Sequence, residues 1–267
     1  MKVKLDEMTW PEVQEMLTKP NVVLLPIGST EQHGAHLPLN VDSLTATYIA
    51  EQAALKVADK YKICVLVAPT IDYADVSVHK MFPGTVGVKV DTLIRMIVDI
   101  IESFLDQGFK NIITLNSHRQ NTCSIEAAHR IIADQRPKAN LFAVNSVGGL
   151  GFDARPGLVK AGLSGQGHAL EIETSMYLVM QPQNVHLEKA IIGSRELPLS
   201  ERYIGASGND QSKGVIYYSG AKGFEKSGTF GDPTMASKEE GEKVLSAIIS
   251  DLTDIIVQVV KSEKKVE

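Results

Sequence analysis

Apolar residues gather along this chain in short runs rich in β-branched side chains, separated by longer stretches in which apolar and polar positions alternate at helical spacing. The runs Val22–Ile27, Ile63–Ala68, Asn111–Leu115 and Leu141–Asn145 are nearly continuously apolar, as strands covered on both faces must be. Between them, Ser43–Lys60, Asp91–Gln107 and Asn121–Asp134 read as amphipathic helices, with Gly108 a stop after the second. Thr9-Trp10-Pro11-Glu12 has capping-box spacing and opens a short first helix. At the other end, Leu245, Ile248, Ile249, Leu252, Ile255, Ile256 and Val259 line one face of a packing helix over Lys238–Lys265. Strands alternating with helices imply right-handed crossovers and an α/β fold with a mainly parallel sheet. Loops at the carboxyl ends of such strands are where chemistry is expected.

Composition narrows the possibilities. At 267 residues and 43% hydrophobic content the chain can bury a full core as a single domain over 1–267. The net charge of −5, with both signs interspersed, leaves no electrostatic footprint for nucleic acid. The partner expected is a small molecule. Met1–Glu7 lacks the apolar core of a signal peptide, and no run approaches the roughly 18 apolar residues of a membrane span, so a cytoplasmic protein without a membrane partner is expected. Cys64 and Cys123 form neither a disulfide framework nor a CxxC site, and read as packing residues.

The polar clusters follow the predicted strands. After the first comes Glu31-Gln32-His33-Gly34-Ala35-His36-Leu37-Pro38-Leu39-Asn40-Val41-Asp42; after the second, Ser77–Thr85 with His79; after the third, Asn116-Ser117-His118-Arg119-Gln120-Asn121. In extended backbone the side chains of Glu31 and His33 leave on the same side, so a carboxylate and an imidazole can converge. Asp42 returns at the far end of the loop, and this density of ligand types marks a metal site. A fourth cluster, Gly167–Ser175, leads into an apolar segment ending near Met180, which brings His168 and Glu173 toward the same rim. Gly28 and Gly34 form no GxGxxG and are expected to serve unusual backbone angles. His36 reads as structural. Asp72 and Asp75 read either as partners behind ligating imidazoles or as solvated loop acids. His129 and His186 are assigned no function.

Taken together, Ile27-Gly28-Ser29-Thr30-Glu31-Gln32-His33-Gly34-Ala35-His36-Leu37-Pro38, the Phe82-Pro83-Gly84-Thr85 turn, Asn116-x-His118-x-x-Asn121, His168 with Glu173-Thr174-Ser175, and Gly231-Asp232-Pro233-Thr234 resemble the creatininase (creatinine amidohydrolase) family over roughly residues 8 to 260. The resemblance implies a three-layer α/β/α fold and a divalent metal centre, often binuclear. It also implies hydrolysis of a cyclic or linear amide, and a homo-oligomer that is commonly a hexamer. It makes Glu31 and His118 ligands of one metal, His33 a ligand of the other, Asp42 the bridge and His168 the proton shuttle. Imidazole and carboxylate donors suit zinc, manganese or ferrous iron, and one carboxylate can span ions about 3.5–4 Å apart. Water on such ions becomes a nucleophile near neutral pH. A histidine with a reference pKa of about 6.5 suits proton transfer to a leaving nitrogen.

Two departures bear on function. Creatininase carries a ligating glutamate at the position of Gln120, and an amide is a poorer ligand; Glu173 is the replacement expected, with water or a single-metal site as alternatives. Arg119 cannot ligate, and either clamps an anionic part of the substrate or turns to solvent. Arg119, His79 and Gln120 are the candidate substrate contacts. Creatininase also closes its pocket with tryptophans in the second half of the chain, whereas the single Trp here is Trp10. Creatinine is therefore expected to be a poor substrate, with the pocket lined from Asn145–Pro156 and Leu163–Gly167, including Phe152 and Arg155. Two alternatives to amide hydrolysis stay open: hydrolytic ring opening of a cyclic, inositol-type ketone, and a catalytically weakened small-molecule binding subunit.

Overall fold

The computed structural model describes residues 2–151, 167–194, 198–200, 215 and 227–263. Four parallel strands, β1 (Asn21–Ile27), β2 (Cys64–Val67), β3 (Asn111–Asn116) and β4 (Asn140–Val144), form a sheet in the order β2-β1-β3-β4. Around it, in chain order, run α1 (Trp10–Met16), α2 (Val41–Tyr61), α3 (Val90–Asp106), α4 (Thr122–Gln135), α5 (Glu171–Met180) and α6 (Lys238–Glu263). Strand periodicity divides β1 between two cores. Val22 and Leu24 pack with residues of α2, α5 and α6, while Val23, Leu25 and Ile27 pack with Leu93, Ile97, Ile101 and Phe104 of α3 and Ile125, Ala128 and Ile132 of α4. Helices thus cover both faces of the sheet, as a three-layer α/β/α fold requires. Emptying such a position, for example Ile97→Ala, costs about 2–5 kcal/mol.

Local signals act as their chemistry dictates. Glu12 accepts from the Thr9 N–H at 2.7 Å and from its hydroxyl at 2.8 Å, closing the first turn of α1. Gly108 follows α3 with φ +101°. Pro26 sits in a central strand without breaking a ladder, because β2 has ended and the Pro26 carbonyl accepts instead from the Ile71 N–H at 3.0 Å. Cys123 is exposed on α4, so it is not the packing residue that its helical context suggests.

Strand order decides where a site can form. From β1 the chain crosses to β2 on one side, and β3 then lies on the other side of β1. The carboxyl ends of β1 and β3 therefore flank a topological switch point, where connections diverge and leave a crevice. Among the described residues no helix is long and apolar enough to cross a membrane.

Candidate metal centre

The loops after β1 and β3 are stitched together at that crevice. Asn121 donates its side-chain amide to the Gly28 carbonyl at 2.9 Å, and the Ser117 hydroxyl donates to the Asp42 carbonyl at 2.6 Å. Gly28 is needed for closeness and not for unusual angles, since a Cβ there would lie 2.4 Å from the backbone of Ser43; Gly34 does take a positive φ, +69°. Asp42 is not at the end of a loop but in the first turn of α2. There the helix dipole favours a carboxylate, and the Ser29 hydroxyl donates to its Oδ2 at 2.7 Å.

Glu31, His33, Asp42 and His118 are all buried. His118 Nδ1 lies 3.1 Å from Glu31 Oε1 and 3.0 Å from Asp42 Oδ2, and His33 Nε2 lies 3.5 Å from Asp42 Oδ1. The far nitrogen of each ring is tied to backbone: His118 Nε2–H donates to the Asp75 carbonyl at 2.7 Å, and His33 Nδ1–H to the Glu31 carbonyl at 3.2 Å. This is how ligating imidazoles are oriented. Asp75 thus supports His118 through its peptide oxygen, while its carboxylate accepts from the Ser77 N–H at 3.1 Å. Asp72 likewise contributes a carbonyl, to the Thr30 hydroxyl at 3.0 Å.

His168 and His79 form the opposite side. Their rings stack with centroids 4.2 Å apart, and His168 also lies 4.3 Å from the His33 ring. His168 Nδ1 is 3.7 Å from Glu31 Oε1, and His79 Nε2 is 3.7 Å from Glu31 Oε2. His79 is therefore buried inside the cluster. Glu173, in the first turn of α5, accepts from the Ala169 N–H at 2.6 Å and reaches His33 and Asp42.

Among the described residues three donor groups result, each with ligand atoms within 4.8 Å of one another: Glu31, Asp42 and His118; His33, Asp42 and Glu173; Glu31, His33 and His168. A cation fits here. Glu31 Oε2 and His33 Nε2 are buried without a hydrogen-bond partner, a state that normally demands an explanation, and nitrogen and oxygen donors in this mixture suit a divalent ion. Electrostatics agree. Burial works against a charged His33, yet the Asp42 carboxylate overrides it and pushes the ring up to about 9. His118 rises well above its ordinary value against the same penalty, through Glu31 and then Asp42. Burial pushes Glu173 up to about 7. His168 is driven well below its usual value and His79 down to about 4, in both cases chiefly by burial.

The remaining candidates fall elsewhere. Arg119 is exposed on the short 3-10 turn Arg119–Asn121, and Gln120 beside it has a buried Oε1 without a partner. His36 is structural, its Nε2 bonded to the Thr174 hydroxyl at 3.0 Å. His129 contacts the Thr114 hydroxyl at 3.2 Å, and His186 pairs with Glu188 at the surface. Trp10 is 77% exposed on α1, outside the centre. Phe152 and Arg155, with residues 152–166 generally, lie outside the described residues. The residue that sequence reasoning passed over is Gln32, whose buried amide touches both His79 and His168. Its position between two ligand candidates was the available signal.

The chain is 28% identical over 267 residues to 3-dehydro-scyllo-inosose hydrolase of Thermotoga maritima, covering 95% of this chain and 82% of that one. It is 27% identical over 243 residues to the mycofactocin precursor peptide peptidase of Mycobacterium tuberculosis, covering 88% and 83%. It is 25% identical over 268 residues to creatinine amidohydrolase of Pseudomonas putida, covering 95% and 96%. A crystal structure of creatinine amidohydrolase (creatininase) shares the fold with a TM-score of 0.76 at 23% identity, over 96% of this chain and 97% of that one. Because residues 6–256 match the family model described as creatinine amidohydrolase, the chain belongs to the creatininase family of hydrolases.

Proposed function

We propose that this chain hydrolyses the C–N bond of a small cyclic or linear amide at a two-cation centre. Glu31, Asp42 and His118 would hold one ion, and His33, Asp42 and Glu173 the other, with Glu173 taking the place that Gln120 cannot fill. The observation that carries this reading is Asp42, the residue that these two donor groups share, as a carboxylate serving both ions would be. Creatininase has been solved in a form described as Mn and, as a Glu-to-Gln mutant, in one described as Zn-Zn type; zinc, manganese or iron would suit the donors here. A divalent ion so held supplies Lewis acidity and lowers the pKa of bound water toward neutrality.

The chain's own residues do the rest. His168 takes a proton at Nδ1 and returns it to the leaving nitrogen, its Nε2–H anchored on the Gln32 carbonyl at 2.7 Å. Arg119 and Gln120 at the rim would contact the substrate. The relatives are named for an inosose, a precursor peptide and creatinine, so the substrate is tested directly. The full chain, loaded with zinc or manganese, would be assayed against amides, lactams, peptides and cyclic polyol ketones. Turnover of an amide, with creatinine poor, supports the proposal. Turnover confined to the ketones would replace it with ring opening, and a filled site without turnover with the binding-subunit reading. A homo-oligomer, hexameric as the family resemblance implies, would be read by sedimentation velocity.

A further inference from the structure

Gln32 is buried, and its side chain meets two backbone groups whose polarity leaves no choice. Oε1 accepts from the Gly34 N–H at 2.9 Å, and Nε2 donates to the Gly228 carbonyl at 2.9 Å. Turning the amide over would set oxygen against oxygen and N–H against N–H. Its orientation is therefore determined, and one hydrogen of the amide remains. His79 Nδ1 lies 2.9 Å from Nε2 and must meet that hydrogen with a lone pair. His79 then carries its proton on Nε2, the nitrogen facing Glu31 Oε2. His168 obeys the opposite constraint. Its Nε2 lies 2.7 Å from the Gln32 carbonyl, which only accepts, so this nitrogen carries the proton and Nδ1 offers a lone pair toward Glu31 Oε1. The 3.0 Å approach of Gln32 Nε2 to His168 Nε2 is then a contact between donors and not a hydrogen bond.

We infer that Gln32 is a positioning residue that locks the stacked pair His79 and His168 each with its proton on Nε2, so that His168 presents a lone pair to the centre and His79 turns an N–H toward Glu31 Oε2, 3.7 Å away. An N–H nitrogen cannot ligate, so His79 is kept out of the donor set although it lies in the cluster. Space enforces the arrangement as well: a Cβ on Gly228 would lie 2.0 Å from Gln32 Oε1, and φ there is +70°. The role of His168 as a base rests on the hydrolase reading; the tautomers do not.

The test is long-range proton–nitrogen NMR on the full chain labelled at histidine nitrogens, metal-free and with zinc alone. Wild type is expected to show His79 protonated on Nε2 and His168 on Nε2, with zinc leaving the His79 proton in place. In Gln32→Glu the ionised side chain can only accept, so above the pH at which that carboxyl ionises His79 is expected to move its proton to Nδ1 while His168, held by backbone, does not change. Gln32→Met, which removes the donor without adding charge, is expected to leave His79 a mixture of tautomers, and serves if the first variant does not fold. A wild-type His79 protonated on Nδ1, or a His79 tautomer indifferent to both substitutions, would overturn the inference. Should the hydrolase reading alone be wrong, the tautomers would appear as described in a protein that turns over none of the substrates.

Discussion

Two pairs of histidines face each other across this centre, and burial alone would treat them alike. His33 and His118 stand over Asp42 and Glu31, where the carboxylates outweigh desolvation and raise both rings. His79 and His168 stack on each other a few ångströms away; there desolvation dominates, the carboxylates only partly compensate, and both rings stay neutral. One side is built to attract positive charge, the other to rest neutral. Residue type does not assign these roles. What assigns them is closeness to the carboxylates: 3.0 to 3.5 Å for His118 and His33, against 3.7 Å for both His79 and His168.

The largest effect should come from breaking the first side. Asp42→Asn is expected to remove most bound metal, because both proposed ions share that carboxylate, whereas Gln120→Ala should retain it. Elemental analysis of metal per chain checks this, and equal retention would take Asp42 out of the centre. Breaking the second side should leave the metal and abolish the chemistry. His168→Ala is expected to keep its ions and its fold while losing roughly 10²–10⁴-fold in turnover of the best substrate found; a variant that sheds metal would make His168 a ligand, as its grouping with Glu31 and His33 permits.

Glu173 tests where the boundary runs. Glu173→Gln should weaken one of two zinc-binding steps by about 10–100-fold or more, the scale seen when a metal site loses supporting contacts, and leave the other step unchanged in a calorimetric titration. If both steps persist, Glu173 serves only to hold the Ala169 N–H.

The smallest effect comes from a histidine with no carboxylate to compensate. Burial alone lowers His129 to about 4, below the unfolded value of about 6.5. The unfolded chain then binds the extra proton first, so this residue's contribution is full above pH 6.5, declines as pH falls toward 4, and changes no further below that. His129→Gln should flatten that part of the stability profile, as urea melts across the range would show. An unchanged slope would mean that burial is not what separates the two pairs.

Much of this was legible in the sequence because it depends on local periodicity. Each predicted strand lies within a residue or two of the observed one, and α2, α3 and α4 begin and end within two residues of expectation. Glu31, His33 and His118 were recognisable because they follow strands whose carboxyl ends must share a rim. The start of α2 was read two residues late, at Ser43 and not Val41, which left Asp42 in a loop. The helix begins earlier because an acid in the first turn complements the dipole, a preference weaker than the apolar pattern by which the boundary was drawn.

Composition and spacing by themselves determined that this is a parallel α/β protein, and motif order determined its family and ligand candidates, because both are written in neighbouring residues. Tertiary structure alone decided that Asp75 supports His118 by its carbonyl, that His79 is walled inside the cluster, and that Glu173 meets His33. It also decided that Gly228, 196 residues away, fixes the Gln32 amide that faces His79. Hydrogen bonds of that kind are fixed by the polarity of groups brought together only when the chain has folded, and no local pattern encodes them.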